Sequence, residues 1–380
     1  MKAVLRAFLG IGFVCGFALS AQAQSASGAT NPWTFSTSVA GAYEGNALFV
    51  GPEGDEEFSH NVQAGIGRNW TLRRGAVNLF GSANQYFYRK STSLNDFRYN
   101  VGGGASHAVT RRLTWNGSTT MTSGLARDAA VLTTAGLVLP SVETRTSASS
   151  SVLAYALSRQ QQLNWTVSQS GVGFSSGLFK GGSQLTSVLA WSHQVGKSQA
   201  VGISQDYSRT FADGVNTNIY GIFGTWSRTA GEWTAHTSAG LRPYSIPGEG
   251  YHFTWGLSAG ITKPVRPGQV LGITYDRSVT QTYGLSSGNH LLNSVSGSYG
   301  FALTRRMFTS FGASYLRSSE PVILDENSTG QTGTASLTYR LGSRVGIGFS
   351  SSIYSRTFPA TERVTSYNMM TSLTYGTTWH

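Results

Sequence analysis

From Trp33 onward the chain repeats one pattern about eighteen times: a segment in which apolar and small polar residues alternate, then a turn. Val345, Ile347, Phe349 and Ile353 alternate with Gly346, Gly348, Ser350 and Ser352. Val201 and Ile203 alternate with Gly202 and Ser204, and Leu271, Ile273 and Tyr275 with Gly272, Thr274 and Asp276. A period of two puts the two sets on opposite faces of a strand. One face is therefore apolar, and the other is mostly Gly, Ser, Thr, Asn and Gln. The pattern predicts strand cores at approximately 33–44, 57–68, 76–88, 96–109, 113–125, 144–157, 162–175, 182–194, 199–210, 215–227, 232–243, 250–262, 269–281, 290–303, 307–317, 330–340, 345–356 and 364–379.

Ahead of this array, residues 1–23 read as a cleavable export signal. Lys2 and Arg6 make a basic start, an apolar run follows from Ala7 to Leu19, and Ala21-Gln22-Ala23 is a small-residue cleavage site. The single cysteine, Cys15, lies in that run, so residues 24–380 hold no disulfide and no thiolate chemistry. Bulky Phe13 and Val14 before Cys15 argue against a lipoprotein site. No later stretch is apolar for the length of a spanning helix. The length exceeds that of a β-sandwich domain, and no fixed short period suggests a solenoid. What remains is an all-β, antiparallel, up-and-down transmembrane barrel over residues 24–380, apolar outside and hydrophilic inside.

An even strand number puts both termini on the periplasmic side. Very short joints such as Thr110-Arg111-Arg112 alternate with longer ones at 45–56, 126–143 and 318–329. Tryptophans gather near the short joints and the termini (Trp70, Trp115, Trp165, Trp233, Trp379). Tyrosines gather near the long ones (Tyr43, Tyr86, Tyr88, Tyr207, Tyr244, Tyr275, Tyr315, Tyr354). Two aromatic bands match the two interfaces of a bilayer. Met369, Leu373, Tyr375 and Trp379 share one parity. That ending resembles the C-terminal signal of Gram-negative outer-membrane barrels, from which His380 departs by one residue. The whole chain after residue 23 resembles those proteins, which implies location in the cell outer membrane. More loosely, it is similar to the barrels of about eighteen strands that accompany exopolysaccharide export. That likeness implies periplasmic export machinery as a partner.

Charge is sorted by end. The formal net charge is +11. Arg73, Arg74, Arg111, Arg112, Arg305, Arg306 and Arg344 fall at the short joints and form an expected periplasmic basic rim. Such a rim anchors the barrel on anionic headgroups, or receives an acidic partner or polyanion. Acids cluster at Glu53, Asp55, Glu56 and Glu57 and again at Glu320, Asp325 and Glu326. No spacing matches a defined calcium loop, so solvated loop charge is the preferred reading and no metal or cofactor is expected. Several rising strands end in Tyr-x-basic: Tyr88/Lys90, Tyr207/Arg209, Tyr275/Arg277, Tyr315/Arg317 and Tyr354/Arg356. On a lipid-facing surface the cation would meet lipopolysaccharide phosphate. Parity turns Tyr354 and Arg356 toward the polar face instead, so either a bulge intervenes or both line the pore.

The expected lumen is hydroxyls, amides and glycines, with Asp206 and Asp276 as inward charges. A wall of weak, exchangeable hydrogen-bonding groups suits hydrated carbohydrate. A hydrophilic channel for saccharide or exopolysaccharide is therefore the leading function, with nucleic acid excluded as a partner. A closed structural or surface-binding barrel is the alternative. An outer-membrane hydrolase comes third, because no nucleophile motif or metal-spaced histidine pair stands out.

Overall fold

The computed structural model describes residues 33–45, 56–125, 142–175, 181–212, 215–246, 250–266, 269–282, 288–319, 327–357 and 363–379. The export signal, the segment 24–32, the core of the long joint at 126–141, Tyr283, His380, and the acids Glu53, Asp55, Glu320, Asp325 and Glu326 lie outside them.

The strands are β1 (Trp33–Gly45), β2 (Glu57–Leu72), β3 (Gly75–Tyr88), β4 (Asp96–Ala108), β5 (Leu113–Leu125), β6 (Glu143–Ala156), β7 (Gln161–Phe174), β8 (Gly182–Val195) and β9 (Gln199–Ala212). They continue as β10 (Val215–Ala230), β11 (Trp233–Ile246), β12 (Gly250–Arg266), β13 (Gln269–Thr282), β14 (Gly288–Ala302), β15 (Met307–Ser319), β16 (Asn327–Arg340), β17 (Val345–Thr357) and β18 (Val364–Trp379). All belong to one 18-stranded sheet in which each strand pairs with its sequence neighbours, and β1 pairs with β18. The barrel is closed and no strand is left as an edge, as hydrocarbon requires of backbone polar groups.

Where strands outrun the periodicity, their ladders carry on into the turn. β2 reaches Leu72 because it pairs with β3 as far as Leu72–Gly75, which leaves Arg73-Arg74 as a two-residue turn. β12 reaches Arg266, with a register shift beside Pro264, which has no N–H to give the ladder. In the turn between β10 and β11, Gly231 adopts φ 61°, a left-handed conformation that tight hairpins use. Short turns occupy one rim, here the turn rim, where Trp33 pairs with Trp379 and both ends of the sheet meet. The connections at the other rim, the loop rim, are mostly longer.

Parity sorts the faces as the alternation demands. Phe35, Val39, Ile203, Ile222, Leu241, Phe253, Ile273, Phe311, Ile353 and Leu373 point outward and remain exposed. An apolar exterior this extensive on a closed barrel is a lipid-facing surface. It is interrupted on β5–β7, where Thr119, Ser149 and Gln169 share the outward parity. There Thr119 Oγ1 and Ser149 Oγ bond each other at 2.9 Å, and Trp115 Nε1 donates to Ser151 Oγ at 2.9 Å, so these hydroxyls do not face lipid unpaired.

Ile222 is 62 % exposed. Replacing it with Arg should cost about 2–4 kcal/mol if it sits at the bilayer midplane. Reversible urea unfolding from lipid vesicles measures this, and the inward-facing Ser204→Arg control should cost less.

Candidate functional site

The inner wall is mainly hydroxyl, amide and glycine, but at several places it carries paired charges and aromatic rings. Asp206 lies inward on β9, buried, with its carboxylate bonded to the Arg242 guanidinium of β11. Between them on β10, Gly221 stands opposite Asp206. A Cβ at Gly221 would fall 1.7 Å from Asp206 Oδ1 and 2.4 Å from the Phe223 ring. Only glycine lets the carboxylate cross β10 to its partner. Phe223, also inward, lies 5.4 Å from the Arg242 guanidinium carbon. Asp276 is inward as expected and accepts a 2.8 Å bond from Ser278 Oγ.

Tyr354 and Arg356 sit on a ladder with β16 that runs unbroken from Thr329–Thr357 to Arg340–Gly346. No bulge intervenes, so their parity, opposite to exposed Ile353, turns both inward. Arg356 is buried and hydrogen-bonds Tyr354. His290 of β14 lies near the Arg356 charge, and Ser318 Oγ is 3.3 Å from His290 Nδ1.

A third group stands on β2–β4 near the loop rim. Arg98 is buried, lies 3.7 Å over the Tyr86 ring and pairs with Asp96 at 3.3 Å. Next to it the Glu57 carboxylate accepts three backbone N–H groups, from Phe58 at 3.0 Å, Lys90 at 2.9 Å and Ser91 at 2.8 Å. Asn95 Oδ1 takes a fourth, from Tyr88 at 2.6 Å. The connection between β3 and β4, with its single helical turn at Thr92–Leu94, is thereby pinned, and Leu94 is buried against Tyr88 and Leu125. Glu57 is thus a structural cap and not solvated loop charge.

These groups correct two expectations. Tyr86, Tyr88, Tyr244 and Tyr354 do not join the outer girdle. Their parity sends them inside, where Tyr244 stacks on His252 at 5.7 Å and packs with Ile219 and Val279. The lumen also carries more charge than Asp206 and Asp276. Arg98, Arg242 and Arg356 stand on β4, β11 and β17, seven, six and five strands apart around the 18-stranded ring. The signal for them was present: Arg98 lies between outward Phe97 and Tyr99, and Arg242 follows outward Leu241. The arginines Arg73, Arg74, Arg111, Arg112, Arg305, Arg306 and Arg344 all lie exposed at the turn rim. Among the described residues no group of three or more His, Cys, Asp or Glu could hold a metal ion.

No protein-family model matches the sequence, and neither does any curated protein. Solved structures do match. OccK2 (OpdF) of Pseudomonas aeruginosa aligns at a TM-score of 0.51 and 11 % identity over 91 % of this chain and 98 % of its own. OccAB4 of Acinetobacter baumannii gives 0.50 and 11 % over 92 % and 99 %. A BenF-like porin of Pseudomonas fluorescens Pf-5 gives 0.50 and 9 % over 91 % and 99 %. At this identity the likeness is one of fold, and it extends over nearly the whole of each barrel. The chain is a β-barrel with the fold of these porins, and its apolar exterior is that of a membrane-spanning barrel.

Replacing Glu57 with Gln removes the charge that gathers three N–H groups, each bond worth about 1.5–3 kcal/mol. Limited trypsin digestion of the folded barrel should then nick the β3–β4 connection at Arg89 or Lys90 several-fold faster than in the parent. Equal rates would mean that the carboxylate does not hold the loop.

Proposed function

We propose that this barrel is an outer-membrane channel for hydrophilic solutes, with saccharides, acidic ones included, as its cargo. The observation that carries the reading is the wall itself: a closed ring of 18 strands with a face of hydroxyls, amides and glycines turned inward. Such groups exchange hydrogen bonds with a passing hydrated solute at little cost. The aromatic rings of Phe223 and Tyr354 offer stacking faces for a sugar ring. Arg98, Arg242 and Arg356 place guanidinium groups in that wall, Arg98 and Arg242 paired with Asp96 and Asp206, and a cargo carboxylate competes with those partners for them. OccK2 (OpdF), one of the structures of this fold, has been solved in complex with glucuronate. In this reading the loop rim faces outside and the turn rim faces the periplasm.

The exposed arginines of the turn rim favour a second version, in which periplasmic machinery delivers an anionic polymer to the inner mouth for export. A hydrolase is less well supported. The Ser318–His290 pair has the Arg356 cation beside the imidazole, where a triad holds an orienting carboxylate.

The folded barrel in a planar bilayer should show steady current steps, and oligosaccharides should interrupt them. Oligomers of a uronic acid should block at lower concentration than neutral ones. Silence from folded protein would count against a passive channel. Arg242→Gln leaves Asp206 unpaired in the wall, so the reversal potential in a salt gradient should shift toward cation selectivity, and Asp206→Asn should shift it the other way. Neutralising Arg111, Arg112, Arg305 and Arg306 together with Gln should abolish polymer export in cells under the second version and leave bilayer conductance intact.

A further inference from the structure

The exterior is not uniform. On β14–β17, from mid-strand toward the loop rim, it is hollowed into a groove of about 530 Å³, lined mainly by residues of outward parity. Its floor is Gly297 of β14, Ala313 of β15 and Gly333 of β16, which lie side by side in register. Val295, Tyr315 and Ile353 rise around this floor, and all three are exposed. Small residues flanked by large ones make a trough in the apolar surface.

The trough is apolar along its length and cationic at its loop-rim end. Arg363, just ahead of β18, leans back over the groove, with Nη2 donating to Gln331 Oε1 at 2.8 Å and Nε to Ser355 Oγ. One ladder step closer to the rim lies a row of further polar groups with the same outward parity. Arg277 of β13 stands beside Asn293, and Asn293 beside Arg317 of β15. Arg277 Nη1 donates to Asn293 Oδ1 at 3.1 Å, and its guanidinium lies 4.0 Å over the Trp255 ring. Three guanidinium groups, two of them held by hydrogen bonds, therefore stand where the apolar belt gives way to headgroups.

We infer that this groove is a binding site for a bisphosphorylated lipid of the outer leaflet, one acyl chain lying in the trough, one phosphate reaching Arg363 and the other reaching Arg317 and Arg277 further along the rim. The shape selects a chain, because a bulky side chain at Gly297, Ala313 or Gly333 would fill it. The charge selects an anion, because guanidinium and phosphate form short charge-assisted hydrogen bonds. A free phosphate would leave the trough empty, and a neutral lipid would leave the cations unmatched. Only a ligand with both parts uses both halves of the site. Two features elsewhere on the exterior differ. The apolar exterior of β12 presents Phe253 at 76 % exposure as a projection, not a hollow. Arg209 on β9 has the outward parity, but its guanidinium rests over the Phe211 ring at 4.9 Å.

The test is native mass spectrometry of the folded barrel in detergent, with added bisphosphorylated lipid A, its dephosphorylated form, or phosphatidylcholine. Wild type should retain lipid A in preference to the other two. Arg363→Gln should weaken lipid A binding roughly five-fold, about 1 kcal/mol for one basic group, and leave the weak binding of the dephosphorylated form unchanged. Ala313→Leu should weaken both, because it fills the trough. Arg209→Gln should change nothing. The heat-modifiable gel shift, expected to match wild type, reports that each variant is folded. Equal retention of all three lipids by wild type overturns the proposal. So do an unchanged affinity in both Arg363→Gln and Ala313→Leu, or an equal loss in Arg209→Gln. None of these readouts depends on what the lumen conducts, so the site stands or falls separately from the channel.

Discussion

In hydrocarbon a backbone N–H or C=O without a partner costs several kcal/mol. The whole architecture follows from meeting that demand with strands. A strand gives its hydrogen bonds sideways, so an open sheet of any width leaves two edges exposed. Closure through the β1–β18 ladder, Trp33 to Trp379 at one end and Gly45 to Tyr367 at the other, removes both. Eighteen ladders in sequence then fix the circumference of the ring. The ring in turn sets the space inside and the spacing of the arginines on β4, β11 and β17.

Closure also gives each parity an environment. Outward residues meet lipid and inward ones meet the lumen, so a slip by one residue would exchange the two sets completely. Glycine is used where the two demands collide. At Gly221 a side chain would occupy the place through which the Asp206 carboxylate reaches Arg242. At Gly297 and Gly333 the missing side chains leave a hollow in the lipid-facing surface, below a cation that bridges β16 and β17. The same residue type thus makes an ion pair possible on one face and a lipid-shaped recess on the other.

The periodicity alone predicted every strand, and the ladders extend several of them by a few residues. Alternation is a direct imprint of a two-sided wall, and turns rich in Gly, Pro and Arg punctuate it. The inward placement of Asp206, Asp276, Tyr354 and Arg356 could be read the same way, the last two once the unbroken β16–β17 ladder excluded a bulge. The aromatic bands were only partly legible. A tyrosine near the end of a strand looks like a girdle residue from sequence, yet Tyr86, Tyr88, Tyr244 and Tyr354 turn inward, because parity outranks distance from the turn. Glu57 read as loop charge because its three N–H partners come from a hairpin more than thirty residues away or from its own neighbour.

The sequence by itself determined which residues form strands, that the sheet has two chemically distinct faces, and that basic residues gather at the short turns. Those properties are local: they depend on a period of two and on what a turn tolerates. Only the tertiary structure decided which strands stand side by side at a given height. Register across neighbouring strands, which no single strand encodes, brings Asp206 to Arg242 and Arg98 over Tyr86. It also sets Gly297, Ala313 and Gly333 in one row beneath Arg363.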